Sequence, residues 1–418
     1  MLRRCRFGTW ALLAMSLLAA GAAGQEWGRF RGPNGLGASE TGTLPDQWTE
    51  KDFRWKVELP GIGHSSPVVC GERVFVTSAR EEDGTLVVQA LKAASGEGLW
   101  SKTFESAAYS KHKFNSYASS TPAADADTIY VTTATPKQYL VVALDQRDGQ
   151  KRWERDLGPF VSQHGFGASP IVFEDLLIVP NDQDGTSFVV ALERASGKTR
   201  WQAPRKTGDG SAAFATPCIY QPEAGQPQLI LSSWTHGVSG LDPRSGKLLW
   251  ELPVFQNRVV GSPAVAAGVI FAAAGVGGVG RQMIAIRPGD PDRQIEAKVL
   301  YRVEKSLPYV VTPVARGSLL FVWNDQGVVT CLDAPTGKVH WVQRVGGDYF
   351  GSPVRLGDRL YCIARDGKLV ILAASDKFQP PFRVDLGERS HSTPAIAGGV
   401  MYLRTVSHLM AIGPGKGT

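Results

Sequence analysis

One phrase recurs five times in this chain: an apolar strand, a turn that contains glycine, and a tryptophan four residues after that glycine. The copies are LKAASGEGLW (91–100), LDQRDGQKRW (144–153), LERASGKTRW (192–201), LDPRSGKLLW (241–250) and LDAPTGKVHW (332–341). Glycine can adopt the positive φ of a tight turn, and we expect the tryptophan to pack on the returning strand. Each copy therefore predicts a β-hairpin, and the repetition predicts a repeat architecture.

A second phrase lies between the hairpins, and it consists of Ser/Thr-Pro, a short turn and a β-branched or aromatic run. Its prolines are 40 to 55 residues apart, at Pro67, Pro122, Pro170, Pro217, Pro263, Pro313, Pro353 and Pro394. Runs such as RVFVTS (73–78) and RLYCIA (359–364) are apolar at nearly every position, which is typical of strands buried on both faces. Each period then holds four strands, like a propeller blade. Eight periods predict an all-β fold, an eight-bladed β-propeller of four-stranded blades.

The two ends of the chain indicate how the ring closes. The last period ends near residue 413, before a fourth strand, whereas FRWKVEL (53–59) is a fourth strand with nothing before it. Pairing them in one blade removes an open sheet edge. We therefore predict a lead segment at 25–52, a propeller at 53–413 and a tail at 414–418. The tryptophans assigned to the repeat are Trp55, Trp100, Trp153, Trp201, Trp250 and Trp341. The fifth and seventh periods are irregular, with LYRV (300–303) and PFRVDL (381–386) at that place.

The phrase Leu-Asp-x-x-(Thr/Ser)-Gly-Lys-x-x-Trp resembles the repeat of the pyrroloquinoline-quinone (PQQ) propellers, over about residues 53–413. That eight-bladed fold occurs in quinoprotein alcohol dehydrogenases and in the lipoprotein subunit of the bacterial β-barrel assembly machinery. The segments FRGPNG (30–35), GHSSP, NSYASS and HGFGASP also look like those of secreted PQQ-like propellers of planctomycete-type bacteria. The resemblance implies the fold and leaves the function to be argued from the site.

Residues 1–24 have the pattern of a secretory signal peptide. Arg3, Arg4 and Arg6 precede an apolar run of eleven residues, 10–20, and small residues follow before Gln25. We predict that the signal is cleaved; an uncleaved membrane anchor is the alternative. No later run approaches transmembrane length, so we expect no stable membrane insertion. We expect the exported protein to be a monomer in the periplasm, the cell envelope or outside the cell.

The charge and the cysteines restrict the partners and the redox chemistry. Removing the signal lowers the formal charge from +6 to +3, and no Lys/Arg cluster remains that would favour nucleic acid. Export permits disulfides. The mature cysteines are widely spaced, however, and three stand in apolar runs, so we expect buried free thiols. These cysteines are Cys70, Cys218, Cys331 and Cys362.

The sequence distinguishes the two faces of the predicted ring. In an up-and-down blade, the inter-blade link before each Ser/Thr-Pro and the loop between the second and third strands share one face, and the tight glycine turns lie opposite. The links carry His64, Tyr117, His164, Phe166, Phe214, Arg258, Tyr309, Tyr349 with Phe350, and His391. The loops add Asn181 to Asp184, Trp234, His236, Asn324 to Gln326, Arg365 and Asp366. Any single side chain here is as consistent with plugging the channel as with binding. Because mixed aromatic and polar groups converge, the ring as a whole favours a ligand- or partner-facing mouth.

Three chemical interpretations remain open. His64 and His391 both stand three residues before a proline in blades that become neighbours on closure, with His164 two blades away, so a Zn²⁺ or Cu²⁺ site is conceivable. Ordinary hydrogen-bonded histidines are the simpler interpretation.

The second interpretation is a quinoprotein oxidoreductase. The resemblance implies that such an enzyme needs PQQ, Ca²⁺ held by carboxylate and amide oxygens, an aspartate base, a tryptophan under the quinone and commonly a vicinal Cys-Cys disulfide. No Cys-Cys occurs here. Asn181-Asp182 and Asn324-Asp325 offer oxygens, but such loop pairs are mostly turn formers. We expect no cofactor, with PQQ and Ca²⁺ as the alternative.

The third interpretation is a non-catalytic platform that binds an envelope protein, a peptide or a glycan on the face of the links. The assembly-machinery lipoprotein works broadly this way. Cys5 precedes the apolar run rather than following it, so a lipid anchor is not expected. We find no catalytic residue set, and we predict a binding or scaffold role.

Overall fold

Eight sheets form the molecule, which confirms the predicted all-β, eight-bladed propeller. The structure, a computed structural model, describes residues 27–414 apart from positions 41, 46, 209, 211 and 278. The predicted signal peptide and residues 415–418 lie outside this range. Helical structure in the described residues is confined to three short 3₁₀ turns, Pro33–Gly35, Glu50–Asp52 and Pro291–Arg293.

The first four blades each contain four antiparallel strands in sequence order from the channel outwards. Blade 1 comprises Val68–Cys70, Arg73–Ala79, Leu86–Lys92 and Gly98–Phe104. Blade 2 comprises Ala123–Ala124, Thr128–Thr135, Gln138–Asp145 and Lys151–Asp156. Blade 3 comprises Ile171–Phe173, Leu176–Asn181, Phe188–Glu193 and Thr199–Pro204. Blade 4 comprises Cys218–Tyr220, Gln228–Ser233, Gly237–Leu241 and Leu248–Leu252.

The remaining blades follow the same plan until the last one. Blade 5 comprises Ala264–Ala266, Val269–Val276, Val279–Arg287 and Lys298–Val303. Blade 6 comprises Val314–Arg316, Leu319–Trp323, Val328–Asp333 and Val339–Arg344. Blade 7 comprises Val354–Leu356, Arg359–Ile363, Lys368–Ala373 and Phe382–Asp385. Blade 8 comprises Ala395–Ala397, Val400–Arg404, His408–Ile412 and the N-terminal strand Trp55–Glu58.

The N-terminal strand closes the ring as predicted. Trp55 lies opposite Ala411 in an antiparallel pair, and its ring centroid is 6.0 Å from that of Tyr402. Arg404 of blade 8 is fully buried, and its guanidinium donates to the carbonyl oxygen of Ser65 at 3.0 Å. The N-terminal strand therefore completes blade 8, and Arg404 ties that blade near the channel to the link that enters blade 1.

The repeated glycine and tryptophan join neighbouring blades. The tryptophan lies on the returning strand, but its ring contacts the turn of the next blade rather than its own hairpin, which corrects the expected packing. A Cβ atom on Gly197 would lie 2.6 Å from the ring of Trp153, whose Nε1 donates to the carbonyl of Arg194 at 2.7 Å. The same contact joins Trp55 to Gly96, Trp100 to Gly149, and Trp201 to Gly246.

The irregular fifth period uses a different aromatic residue for the same purpose. Tyr301 takes the place of tryptophan, contacts Gly337 of blade 6 and donates its hydroxyl to the carbonyl of Ala334 at 2.6 Å. Trp250, one blade earlier, bonds to Gln228 within its own blade at 2.7 Å and packs on Gly289. The contact between blades thus survives a change of side chain.

The Ser/Thr-Pro phrases build a ring of hydrogen bonds around the channel, which we call the hydroxyl belt. The backbone N–H of one Ser or Thr donates to the side-chain hydroxyl of its equivalent in the next blade. Among the described residues, six such bonds of 2.9–3.0 Å connect the belt. Its members are Ser66, Thr121, Ser169, Thr216, Ser262, Thr312, Ser352 and Thr393. Neighbouring inner strands are thereby held at a fixed height.

Residues 27–39 of the lead segment cross the channel. Trp27 pairs with Val69 of blade 1 through backbone bonds of 3.0 and 3.1 Å, and Ala38–Ser39 adds a parallel strand to Val354–Leu356 of blade 7. Further along the chain, Gly42 packs against Gly399, in the turn after the first strand of blade 8. These turns lie on the face opposite the links, so the lead segment fills that end of the channel.

Two buried arginines hold the lead segment in place. Arg31 is 1% exposed and donates to the carbonyl oxygens of Pro313 and Pro353 at 2.7 and 2.9 Å. Arg29 donates to the carbonyl of Pro217. Burial lowers the pKa of each guanidinium to about 10. Both remain charged at neutral pH, and backbone carbonyls replace the water that they lose.

Cys70, Cys218, Cys331 and Cys362 are buried free thiols, as predicted. Burial raises the pKa of Cys218 and of Cys331 to about 12, so these thiols stay protonated and unreactive. In the part of the chain that the structure describes, no helix has the length and apolar character needed to cross a membrane.

Two glycine variants separate the contribution of the glycine–tryptophan contact to stability from the cost of placing a side chain at a positive φ. Gly197 (φ 68°) and Gly268 (φ 77°) have similar backbones, but a Cβ on Gly268 would meet nothing within 4 Å. We expect Gly268→Ala to lower the free energy of unfolding by about 1–2 kcal/mol. Gly197→Ala should cost roughly 1–3 kcal/mol more, because the methyl group overlaps the Trp153 ring. Urea unfolding measures both; equal losses would contradict the contact between blades.

Candidate functional site

A cavity of about 650 Å³ opens at the mouth of the channel, on the face of the inter-blade links. The lead segment lies below it, and Phe30 of that segment contributes to its lining. Seven of the predicted link residues also line it: His64, His164, Phe214, Arg258, Tyr309, Phe350 and His391. The cavity is therefore open at one end only, and its size is typical of small-ligand sites.

The position three residues before each proline faces the cavity in all eight blades. These positions are His64, Ser119, Gly167, Phe214, Val260, Val310, Phe350 and His391. The hydroxyl belt lies two residues later and lines the lower wall, because side chains two apart in an extended chain share a face. Aligning the eight links on their prolines would have identified the position that faces the cavity from the sequence.

Three predicted link residues pack away from the cavity. Phe166 is 3% exposed, with its ring centroid 4.9 Å from that of Tyr139. Tyr349 is fully buried against Trp323 at 5.2 Å. Tyr117 packs edge-on to Tyr109 at 5.0 Å. Phe166 and Tyr349 stand four residues before a proline, one place off the facing position, and their side chains pack into the core between blades. Tyr309 stands at the same place but lines the cavity.

The long link from blade 1 to blade 2 crosses the mouth, and it contributes His112 and Phe114, which the sequence analysis did not identify. His112 of this link stacks on His164 of blade 3, with ring centroids 5.3 Å apart and an interplanar angle of 8°. Phe114 reaches the other side, where its centroid is 5.4 Å from that of Phe350. The only sequence signal was the spacing of 55 residues between Pro67 and Pro122, the longest of the series.

The histidines form two separate pairs. The ring centroids of His64 and His391 are 4.4 Å apart at the seam between blades 8 and 1, whereas His164 stacks on His112. No group of three or more His, Cys, Asp or Glu side chains suited to a metal ion occurs among the described residues. His164 therefore pairs with His112, and the described residues do not gather His64, His164 and His391 into one such group.

Hydrogen bonds define the tautomer of His391. Its Nδ1 lies 3.2 Å from the carbonyl oxygen of Phe114 and must carry the proton, so Nε2 is free to accept from Nε of Arg365 at 3.5 Å. Nε2 of His164 likewise accepts from Nη1 of Arg258 at 3.0 Å. Burial and the guanidinium of Arg258 lower the pKa of His164. These imidazoles are therefore neutral acceptors at neutral pH.

Three arginines line the cavity, and their environments differ. Arg281 pairs with Asp325 at 3.2 Å. Asp325 also accepts the backbone N–H groups of Tyr309 and Val310 at 3.0 and 2.8 Å, although burial raises its pKa overall. Arg365 lies over the rings of two phenylalanines, with its guanidinium carbon 4.2 Å and 4.7 Å from the centroids of Phe114 and Phe350.

The loops that could have offered oxygens to Ca²⁺ are used internally. Asp182 is 7% exposed and pairs with Arg205 at 3.0 Å, and the side-chain oxygen of Asn181 accepts from Gln183 at 2.8 Å. The side-chain oxygen of Asn324 accepts the backbone N–H groups of Gln326 and Val328. These bonds show the Asn/Asp pairs acting as turn formers.

The residues present do not fit Ca²⁺-bound PQQ. Asp325 and Asp348 are the carboxylates that line the cavity among the described residues, and Asp325 is already held by Arg281 and backbone donors. No tryptophan belongs to the described lining, so a stacking floor of that type is lacking. Phe30 stands at the bottom instead.

Solved structures share the shape of this chain at low sequence identity. BamB from Moraxella catarrhalis has a TM-score of 0.62 at 16% identity, covering 87% of this chain and 98% of its own. Quinohemoprotein alcohol dehydrogenase from Comamonas testosteroni has a TM-score of 0.64 at 14% identity, covering 96% of this chain and 82% of its own. A quinohemoprotein alcohol dehydrogenase from Pseudomonas putida HK5 gives 0.61 at 13% identity, with 94% and 81% covered. These similarities establish the fold alone.

A family comparison gives a stronger result. No curated protein is significantly similar to this chain in sequence. A PQQ-repeat family model described as outer membrane protein assembly factor BamB matches residues 47–157, 84–306 and 298–417. The matched residues span nearly the whole propeller and its closing strand. The chain therefore belongs to the PQQ-repeat propeller family described as outer membrane protein assembly factor BamB.

Proposed function

We propose that this protein is a non-catalytic binding or scaffold propeller of the periplasm or cell envelope. It binds a protein, peptide or glycan partner at the face of the inter-blade links. The observation that carries the proposal is the one-ended cavity, because the eight links, one of which crosses the mouth, direct aromatic, imidazole and guanidinium groups to a single space. The description of the family, an outer membrane protein assembly factor, supports an envelope location and a protein-associated role.

The rigidity of the scaffold also supports a binding role. The hydroxyl belt fixes the inner strands, and the lead segment fills the channel beneath the cavity, so the walls are positioned before a partner arrives. A preformed site loses less conformational freedom on binding than a flexible one. The aromatic side chains that line the cavity can contribute contact area at low entropic cost.

The quinoprotein alternative has the fold but lacks support from the site. The cavity has no tryptophan in its described lining, and Asp325 is committed to Arg281 and to backbone donors. Adding PQQ and Ca²⁺ to the purified chain, with a dye-linked alcohol or sugar assay, tests this alternative. Saturable PQQ binding with turnover would replace the scaffold role by an oxidoreductase.

The binding face can be tested with two exposed or half-buried phenylalanines. Phe350 lines the cavity, whereas Phe382 is 37% exposed on the outermost strand of blade 7. On arrays of envelope glycans and peptides, we expect Phe350→Ala to weaken binding about 10-fold or more, as removal of a central aromatic anchor does. Phe382→Ala should bind like the unaltered protein. If Phe382→Ala weakened the array binding and Phe350→Ala did not, the binding site would lie at the outer edge of the blades and not in the cavity.

The neutral state of the seam histidines predicts how stability depends on pH. Burial, the neighbouring His391 and the charges of Arg404 and Arg389 lower the pKa of His64 to about 3. Burial and Arg365 lower that of His391 to about 4. Above the unfolded value of 6.5 neither group affects stability. Below pH 6.5 the unfolded chain binds protons that the folded chain does not bind. The free energy of unfolding therefore falls by about 1.4 kcal/mol per pH unit for each histidine, until the pH reaches the folded pKa.

Denaturant unfolding between neutral pH and pH near 4.5 measures this loss. The double variant His64→Asn/His391→Asn should show a flatter pH dependence than the unaltered chain. His340 is exposed on the outer strand of blade 6, and His340→Asn should leave the dependence unchanged. An unaltered slope in the double variant would mean that the two seam histidines are charged in the folded protein.

A further inference from the structure

Two cavity arginines have no acidic partner among the described residues. Arg258 bonds to the neutral His164, and Arg365 lies over Phe114 and Phe350. Asp348 lines the rim but is exposed and forms no ion pair with any described residue. Guanidinium groups held by aromatic rings and imidazoles, rather than by carboxylates, keep their charge available to a ligand. The cavity therefore favours an anion.

The side chains of Arg258 and Arg365 are accessible from the cavity. Both are half-buried, and both line the cavity. The N–H groups of a guanidinium donate and cannot accept. These two side chains can therefore donate to oxygen atoms of a ligand, such as those of carboxylate and hydroxyl groups.

The walls between these donors are aromatic. Phe30, Phe114, Phe214, Tyr309 and Phe350 line the cavity at its floor and sides. The face of an aromatic ring carries partial negative charge, which attracts weakly positive C–H groups. A pyranose ring presents a face of C–H groups and an edge of hydroxyls, so a sugar uses both the aromatic walls and the polar donors.

The cavity offers little to the backbone of a peptide. Extended peptides gain most of their affinity by adding a strand to an exposed sheet edge. Here the inner strands meet their neighbours through the hydroxyl belt, whose backbone N–H groups already donate to Ser and Thr hydroxyls. Recognition in the cavity therefore depends on side chains, which disfavours a peptide and favours a carbohydrate.

We infer that the ligand of the cavity is an acidic oligosaccharide, a short glycan whose uronic-acid carboxylates bind Arg258 and Arg365 while its rings stack on the aromatic walls. This inference rests on the proposed binding function and specifies its ligand. Each charged residue of the ligand forms charge-assisted hydrogen bonds, which are roughly twice as strong as neutral ones.

Calorimetric titration of the purified chain tests the inference with defined probes. Uronic-acid trimers (galacturonic, glucuronic and mannuronic) are compared with maltotriose as a neutral sugar and triglutamate as an acidic peptide. We expect at least one uronic trimer to bind saturably, with maltotriose and triglutamate about 10-fold weaker or more. Arg258→Gln and Arg365→Gln should each weaken the uronic trimer about 10-fold or more. Added salt should weaken it too.

Two variants control for charge and for folding. Arg244 pairs with Glu174 in a glycine turn on the opposite face, and Arg244→Gln should leave the affinity unchanged. Arg365→Lys keeps the charge and should retain part of the affinity that Arg365→Gln loses, and thermal unfolding confirms that each variant is folded.

The outcomes separate the inference from the proposed function. Equal binding of maltotriose would leave a glycan-binding cavity but overturn the role of charge. Tighter binding of triglutamate would overturn the carbohydrate and leave a peptide-binding platform. Failure of every uronic trimer to bind would overturn the inference, while the array experiment with Phe350→Ala still decides whether the cavity binds a partner.

Discussion

The hydroxyl belt is the interaction on which the rest of the structure depends. Among the described residues, six of the eight Ser and Thr side chains before a proline accept a backbone N–H from the preceding blade, as Thr312 does from Ser262 at 2.9 Å. Proline cannot donate a backbone hydrogen bond, so the hydroxyl and N–H beside it carry the link between inner strands. These bonds set the height at which every link leaves its blade, and therefore the wall of the cavity.

The lead segment closes one end of the channel, which leaves a cavity at the other end. Without it, an eight-bladed propeller would have an axial channel, but Arg29 and Arg31 bind carbonyl groups of three inner strands and place Phe30 beneath the cavity. Buried guanidiniums are tolerated here because strand carbonyls near the axis replace water. Arginines have a different role above Phe30. There Arg258 and Arg365 line the cavity, and their charge remains available to a ligand.

The repeats predicted the number of blades, the closing strand and the face on which the links converge, because periodic phrases report local geometry. They did not predict the partners of those phrases across blades. Trp153 and Gly197 are far apart in sequence, and nothing local shows that one contacts the other. Tyr349 and Phe350 are adjacent, and one-residue differences in register decide that Phe350 lines the cavity while Tyr349 is buried. Phe30 and Phe114 reach the site through long-range crossings that no periodicity encodes.

The most direct test of the belt uses two buried threonines of blade 6. Thr312→Val removes the hydroxyl that accepts the N–H of Ser262, whereas the hydroxyl of Thr330 has no partner among the described residues. The measurement is the free energy of unfolding in urea. Leaving a buried N–H unsatisfied should cost about 1–3 kcal/mol in Thr312→Val, and Thr330→Val should be neutral or stabilising. Equal effects in the two variants would contradict a belt that holds the blades together.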